Sequence, residues 1–535
     1  MGSRDRVKYW NKAGGDEAHA GPYDTLVIGS GMGGMTSAAL LAKLGHRVLV
    51  LEQHYVPGGF THSFRRKKWS WDVGVHAVGE VVGKNLPGQI LHKLTDGRLK
   101  WTSLGEVYDE FTFPGGFRIG FAANEAAFRE NLIAAFPEEE AAIDQYLALC
   151  AKVSRRMIGH FLSRIAPTQM SGAIDGLLTF GARKWLETST AEVLAGLTDN
   201  EKLRTVLAAQ WGYYGSVPSR SAFAMQALVA RHFFQGAYYP IGGSSRIAEA
   251  LLRTVADAGG WTRVYASVEE ILIEDNRAVG VRLASGEEIR AKQVVSAAGI
   301  MATTQRMLPA SAVADWGPSI QTLTPASAHV CLYMGFKGDI RTAGAGPANQ
   351  WFWRTWSSEV AVWDVSHEGE LPPAHVLYCS FSSLKDPEHD PGEAQLHCGE
   401  AVTFVPWELF APYCKEPWKK RGPEYDALKK RIHDAMLAQF FEEMPGLKPM
   451  LAYSELSTPA TTDHFVRPVN GSIYGIEPTP DRFRNRWLRA KSPIKGLYFS
   501  GSEVSGVGVV GAMMGGFLGA AAVEPLKTLR WMTTL

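Results

Sequence analysis

The chain has little cysteine and no excess of charge. Its five cysteines, Cys150, Cys331, Cys379, Cys398 and Cys414, are odd in number and contain no Cys-x-x-Cys pair. That pattern argues against a disulfide framework or a cysteine-based zinc site, and free, mostly buried thiols in a reducing compartment are expected. The 15 histidines show no His-Glu-x-x-His or paired Cys/His spacing, so no metal is expected. No Gly-x-Ser-x-Gly elbow occurs, which argues against that class of hydrolase. Lys and Arg number 55 against 54 Asp and Glu, a net charge of +1, and no basic stripe alternates with aromatics. No nucleic-acid partner is expected. The first 22 residues are charged and glycine-rich and lack the apolar core of a secretory signal, so a cytoplasmic location is expected. There is no internal repeat or low-complexity segment.

Glycine, by contrast, is placed with purpose. Gly29-Ser30-Gly31-Met32-Gly33-Gly34 follows the apolar run Thr25 to Ile28 and opens a small-residue run that stops at Gly45. This reads as strand, tight turn and helix. A second apolar run, Val48 to Leu51, delivers Glu52, 23 residues after Gly29. The set matches the dinucleotide-binding fingerprint. Gly29 allows the turn, Gly31 lets a pyrophosphate approach the backbone, and Gly34 lets helix and strand come close. The helix N-terminus then stabilises the phosphates. Glu52 accepts from the ribose hydroxyls and disfavours a ribose phosphate, so FAD or NAD fits better than NADP.

A second glycine run, Gly506-Val507-Gly508-Val509-Val510-Gly511, matches the same pattern. Four residues separate it from the preceding strand, Gly496 to Gly501, and no second strand and acid follow it. It is expected to open a helix against the same cofactor. The uncharged stretch Val504 to Val523 is long enough to raise a membrane span, but its glycines at 506, 508, 511, 515, 516 and 519 favour a helix packed under a cofactor. Peripheral membrane contact is left open.

At 535 residues, with 46% hydrophobic and 20% charged residues, two soluble domains are the natural expectation. Gly259 to Gly299 reads as a β-meander ending in Gln293 to Ala297. Upstream, Ser244 and Ser245 lead into a helical spacing of Ile247, Ala248, Leu251, Leu252 and Val255. Residues 22–82, 237–306 and 456–535 are assigned to a discontinuous nucleotide-binding domain. Residues 83–236 and 307–455, with helical patterns at Glu125 to Phe136 and Tyr425 to Phe441, form the second. The latter also holds the aromatic cluster Trp351, Phe352, Trp353, Trp356 and Trp363, which would line a tunnel for a long apolar substrate or simply pack a core.

After Glu52 come Pro57-Gly58-Gly59, Thr61 and Ser63, then Trp71-Asp72-Val73-Gly74-Val75-His76. This ordered set resembles the flavin-dependent amine oxidase and phytoene desaturase superfamily. The Asp72 to His76 segment, Tyr239-Pro240 with Gly242 to Ser245, and Gly501-Ser502-Glu503 resemble its retinol saturase and carotenoid isomerase branch. The resemblance implies an α/β fold: a Rossmann-type, glutathione reductase-like FAD-binding domain with an inserted α+β substrate domain. It also implies tightly held FAD. The implied cofactor contacts are Gly29, Gly31, Met32, Gly33 and Gly34; Glu52 and Gln53; Gly58, Gly59, Thr61, His62 and Ser63; Val268 near the adenine; Ala298 and Gly299; and Gly501, Glu503, Gly508, Val509 and Val510. Glu503 stands where the family usually has aspartate beside the ribityl or pyrophosphate portion. Phe60 stands where members often carry a basic residue.

The reaction implied is hydride exchange between flavin N5 and a carbon-carbon double bond of a hydrophobic polyene, as saturase, desaturase or isomerase, with no electron donor identified. His76 is the candidate for proton transfer, because its ordinary pKa suits that task, or else a histidine bonded within the fold. Tyr474 and the pair Tyr213-Tyr214 are the alternative donors, or pocket walls. A flavin amine oxidase and a non-catalytic flavin or lipid binder are the rival readings.

Overall fold

In a computed structural model, which describes residues 9–12, 21–166, 170–360, 362–367 and 369–535, the first apolar run lies in the strand Tyr23–Ile28 and the glycine turn leads into the helix Met32–Lys43. The polar leading segment falls largely outside the described residues. The second run is the strand Val48–Leu51, buried along its whole length and parallel to the first, with Leu51 opposite Ile28. Unbroken apolar character is what a parallel strand covered on both faces requires.

Around this pair an eight-stranded sheet runs in the order Trp10–Asn11, Trp261–Arg263, Val48–Leu51, Tyr23–Ile28, Glu288–Ser296, Arg277–Leu283, Val268–Glu274, and Leu497–Phe499 joins Glu288–Ser296. The strand Glu288–Ser296 changes partners along its length. Residues 288–290 pair antiparallel with the meander, whereas 291–296 pair parallel with Tyr23–Ile28. The expected meander is thereby continuous with the parallel sheet. The helical spacing upstream is the helix Ser245–Asp257, with Ile247, Ala248, Leu251, Leu252 and Val255 buried.

The last glycine run opens the helix Gly508–Val523, which packs on Met32–Lys43. Glycine is required at this contact. A Cβ on Gly516 would lie 2.3 Å from the Gly33 carbonyl oxygen, and one on Gly515 would lie 1.9 Å from that of Gly501. Ser37 Oγ donates to the Gly516 carbonyl at 2.7 Å across the same seam. Among the described residues no helix is long and apolar enough to cross a membrane.

The second sheet has seven strands in the order Leu451–Ser457, Ala328–Lys337, Leu396–Val405, Val376–Ser380, Asn349–Trp353, Val107–Phe113, Phe117–Ala122. Its strands come from the two insertions, and the last, Leu451–Ser457, crosses the boundary drawn at 455/456. Strand alternation divides the aromatic cluster. Trp351 and Trp353 join Phe111, Phe113 and the helices Glu140–Ser163 and Phe223–His232 on one face. Phe352 joins Trp363 and Phe440 of the helix Pro423–Glu443 on the other.

The sheets are tied by the segment after the second glycine pair. Trp71 Nε1 donates to the Met334 carbonyl at 2.9 Å and Trp69 Nε1 to that of Phe336 at 3.2 Å. The next residue, Asp72, accepts from Ser244 Oγ at 2.6 Å and from the Tyr239 hydroxyl. Thus the Asp72 to His76 segment is anchored on both sides before it reaches the cavity. All five cysteines are free, and all but the half-buried Cys414 are buried.

Candidate active site

A cavity of about 370 Å³ is lined from both sheets. Its floor is bare backbone. Gly29 has φ +88°, a conformation suited to glycine, and turns the chain from strand to helix. A Cβ on Gly34 would lie 2.0 Å from the Gly29 carbonyl oxygen, so only glycine closes this turn. Gly31 differs: nothing lies within 4 Å of where its Cβ would be, and the residue lines the cavity. Gly501 (φ +96°) and Gly508 (φ +80°) are likewise open on that side and line it too.

Two helix N-termini meet at this floor. Neither Met32–Lys43 nor Gly508–Val523 has a side-chain cap or an acidic residue in its first turn. Their leading residues, Met32 and Gly33 in one and Gly508 and Val509 in the other, line the cavity. Uncapped N–H groups and two positive dipole ends facing an open glycine surface fit a pyrophosphate. A third helix, Ile300–Arg306, is already capped: Glu503 Oε2 accepts from Ile300 N at 2.6 Å and Met301 N at 3.0 Å. Burial raises the Glu503 pKa against these N–H groups and Arg482. The cap, with Gly299 and Gly475 packed against its other oxygen, is the role visible for this carboxylate.

Glu52 fastens the first turn. Its Oε2 accepts from Ser30 N at 2.9 Å and from Ser30 Oγ, and its Oε1 accepts from His54 N at 2.8 Å. Ser30 Oγ in turn accepts from Gly58 N at 3.1 Å, which ties in the second glycine pair. Gly59 comes so close to Gly31 that a Cβ there would sit 2.9 Å from the Gly31 Cα. Thr61 Oγ1 bonds the Gly58 carbonyl, and burial holds the His62 pKa down at about 4.

Of the cofactor candidates, Gly29, Gly31, Met32, Gly33, Glu52, Gln53, Gly59, Thr61, His62, Val268, Ala298, Gly299, Gly501, Glu503, Gly508 and Val509 all line this one cavity. Gly34, Gly58, Ser63 and Val510 stand outside its wall. Gly34 and Gly58 shape the loops behind it, and Ser63 begins the hairpin strand Ser63–Arg66. Phe60 lies in the wall, with no cation in its place.

Beyond the glycines the wall becomes aromatic and apolar: Tyr213, Trp351, Val376, Tyr378, Val402, Phe404 and Ile473. Of the tryptophan cluster only Trp351 reaches it. His76 and Tyr474 line this part as well, whereas Tyr214 does not. The Tyr214 hydroxyl points into the helical core and donates to Gln226 Oε1 at 2.9 Å, because Tyr214 closes the 3-10 turn Ala209–Tyr213, where successive side chains point about 120° apart. Burial, with the nearby Lys385 and His329, pushes the His76 pKa down to about 3. The imidazole is therefore neutral near pH 7, and the ordinary histidine pKa that recommended it does not hold here.

Several groups in and behind the wall carry no sequence signal. His329 sits in the buried strand Ala328–Lys337, its pKa lowered to about 4 by burial. Asp109 lies directly behind Tyr213: the hydroxyl donates to Asp109 Oδ1 at 2.7 Å, and Asn349 Nδ2 donates to the same oxygen at 2.8 Å. Burial raises Asp109 to about 6 against these donors. Lys385, deeper still, donates to Ser380 Oγ at 2.7 Å and to the His76 carbonyl at 2.8 Å, and bonds Asn349 Oδ1. Burial lowers Lys385 and raises its neighbour Glu400. Buried polar residues in otherwise apolar strands are the one hint the sequence offers for them.

The comparisons with known proteins agree with this arrangement. A profile described as flavin containing amine oxidoreductase matches residues 32–392. The chain belongs to that family. It is 31% identical over 518 residues to the all-trans-retinol 13,14-reductase of Danio rerio, covering 92% of this chain and 84% of the relative. It is 26% identical over 533 residues to a chloroplastic prolycopene isomerase of an Oncidium hybrid cultivar, covering 95% and 85%. The solved structure of cyclohexylamine oxidase from Brevibacterium oxydans superposes with a TM-score of 0.60 at 16% identity, over 96% of this chain and all of that one, and shares the fold.

Family and site together fix the cofactor. The family supplies a flavin, and the glycine turn with its two free helix ends supplies a dinucleotide site, so the cofactor is FAD. The protein is an FAD-dependent oxidoreductase, with the Rossmann-type FAD domain and inserted substrate domain expected from the sequence.

Proposed function

We propose that this oxidoreductase acts on a carbon-carbon double bond of a hydrophobic polyene of the retinoid or carotenoid class. The observation that carries the reading is one cavity whose glycine floor fits FAD and whose far wall is aromatic and apolar. Relatives named as a retinol reductase and a prolycopene isomerase support it. When bound, FAD supplies two-electron chemistry by giving or taking a hydride at N5.

The chain's own residues then have separate tasks. The floor glycines and Glu52 hold the dinucleotide, and the aromatic wall excludes water and orients the polyene. Saturation requires a proton for the carbon that does not receive hydride. Tyr213 is assigned as its donor, recovering the proton from Asp109 behind it, whose raised pKa lets it exchange protons near neutrality. Neutral His76 and Tyr474 shape the pocket. Isomerisation uses the same wall with no net consumption of protons.

The deciding experiment is anaerobic incubation of photoreduced protein with retinol or a carotene. Reoxidation of the flavin with loss of one double bond, or altered double-bond geometry, is expected. A flavin that reoxidises with none of them, while an amine supports peroxide formation in air, overturns the reading.

A further inference from the structure

Six of the large apolar side chains that stand exposed on this protein fall within 23 residues: Ile158 at 60%, Leu162 at 51%, Met170 at 57%, Leu177 at 80%, Leu178 at 39% and Phe180 at 83%. They form one surface. Positions 155, 158, 159 and 162 share a face of the helix Glu140–Ser163. The helix Ser171–Leu178 seats directly on that face, since a Cβ on Gly159 would lie 2.2 Å from the Leu178 carbonyl oxygen.

The charge in this stretch is mostly positive. Between residues 145 and 186 the sequence holds six cations, Lys152, Arg155, Arg156, Arg164, Arg183 and Lys184, and a single carboxylate, Asp175. Asp175 is taken by the buried Arg489, at 2.9 Å. Arg164 is buried. Arg183 pairs with Glu187 at 3.0 Å, and Lys184 covers the Trp185 ring. Lys152, Arg155 and Arg156 are exposed with no carboxylate partner among the described residues. Elsewhere the surface carries dense ion pairs of both signs, such as Arg263–Glu287 and Arg282–Glu288.

We infer that this face is a docking surface for an anionic phospholipid bilayer, with Leu177 and Phe180 entering the interface and the basic residues meeting the headgroups. A second protein of ordinary composition would satisfy the apolar groups but not the unpaired cations Lys152, Arg155 and Arg156 beside them. A bilayer with anionic lipid satisfies both, because interfacial binding scales with buried apolar area and with attraction of Lys and Arg to the surface. The inference is independent of which polyene the enzyme converts.

The test is co-sedimentation of the FAD-loaded protein, without substrate, with vesicles of phosphatidylcholine alone or phosphatidylcholine with phosphatidylserine. Binding to the anionic vesicles is expected, weaker on neutral ones and weakened by salt. Phe180→Ser with Leu177→Ser, and separately Arg155→Glu with Arg156→Glu, should each reduce partitioning by about tenfold or more. Their flavin absorbance should be unchanged. Should the serine pair fail to fold, Ile158→Asn on the adjoining helix serves in its place. Absence of binding to anionic vesicles, or equal binding by the variants, overturns the inference. So does a dimer dispersed by the serine variants in protein that ignores vesicles, which would assign the face to a second copy.

Discussion

The Tyr213 hydroxyl donates to Asp109 Oδ1 at 2.7 Å, and this bond joins the cavity wall to a buried carboxyl whose pKa is raised to about 6. A phenol alone holds its proton too tightly to serve as an acid near neutrality, and burial raises this one further. Asp109 behind it offers a replacement proton. Removing the hydroxyl should therefore lower turnover of a saturation reaction by about 10²-fold or more, the usual scale for a positioned acid. Stopped-flow measurement of flavin reoxidation by a polyene in Tyr213→Phe, with substrate affinity followed separately, checks this. A change confined to KM would leave the tyrosine as wall alone.

Asp109 also predicts how stability responds to pH. Its folded pKa is raised from an ordinary 3.8 to about 6. Between these values the folded protein binds more protons than the unfolded chain, so this group makes stability fall as pH rises from about 4 to 6. Above pH 6 the penalty is complete. A displacement of this size corresponds to about 3 kcal/mol as an order of magnitude. Asp109→Asn keeps an acceptor for Tyr213 without a buried charge, so its advantage over the parent in urea unfolding should grow through that window and level off above it.

His76 should leave no mark on the pH profile. With its pKa held near 3 by burial, the ring does not change charge across the working range. His76→Gln should retain FAD and keep any limb of the profile that falls as pH rises through about 6, because that limb follows loss of the proton from Asp109. Loss of the limb in His76→Gln, with Asp109 intact, would return the proton-transfer role to the histidine.

What the sequence made legible followed from local rules. The turn Gly29 to Gly34, the strand carrying Glu52 and the helix from Gly508 each depend on residues a few positions apart, and their geometry matches the pattern. The second sheet was not legible, because its seven strands are drawn from segments as distant as Val107–Phe113 and Leu451–Ser457, and no local spacing records that pairing. Asp109, Lys385 and His329 escaped notice for the same reason. Each gains its chemistry only when burial and partners from other strands surround it. Tyr214 shows the converse: adjacent to Tyr213 in sequence and packed in the same core, it points away from the cavity and bonds Gln226.

Glu52 holds the turn by three bonds before any ligand arrives, from Ser30 N, Ser30 Oγ and His54 N. Glu52→Ala should loosen both the loop and its grip on ribose. Hydrogen bonds to a charged group are worth about 1.5–3 kcal/mol, so FAD affinity should fall by at least about tenfold. The fraction of flavin retained after dialysis measures it, and full retention would count against the assigned role.

Two glycines on either side of Met32, at the same strand-to-helix junction, should fail in different ways. A Cβ at Gly31 meets nothing within 4 Å, and the residue's φ of −63° suits alanine. The methyl group would project into the space where the pyrophosphate approaches. Gly31→Ala should therefore leave the apoprotein melting temperature nearly unchanged while FAD binding is lost. A Cβ at Gly33 would instead lie 2.4 Å from the Gly501 Cα, backbone against backbone with no side chain to give way. Gly33→Ala must push the helix Met32–Lys43 away from the backbone at Gly501, an overpacking cost of about 1–3 kcal/mol or more. Its apoprotein should melt earlier, with FAD binding falling as a consequence. Thermal unfolding of both apoproteins, set beside FAD titration, separates the two. Equal destabilisation would mean that the surface at Gly31 is packed against protein and does not receive the cofactor.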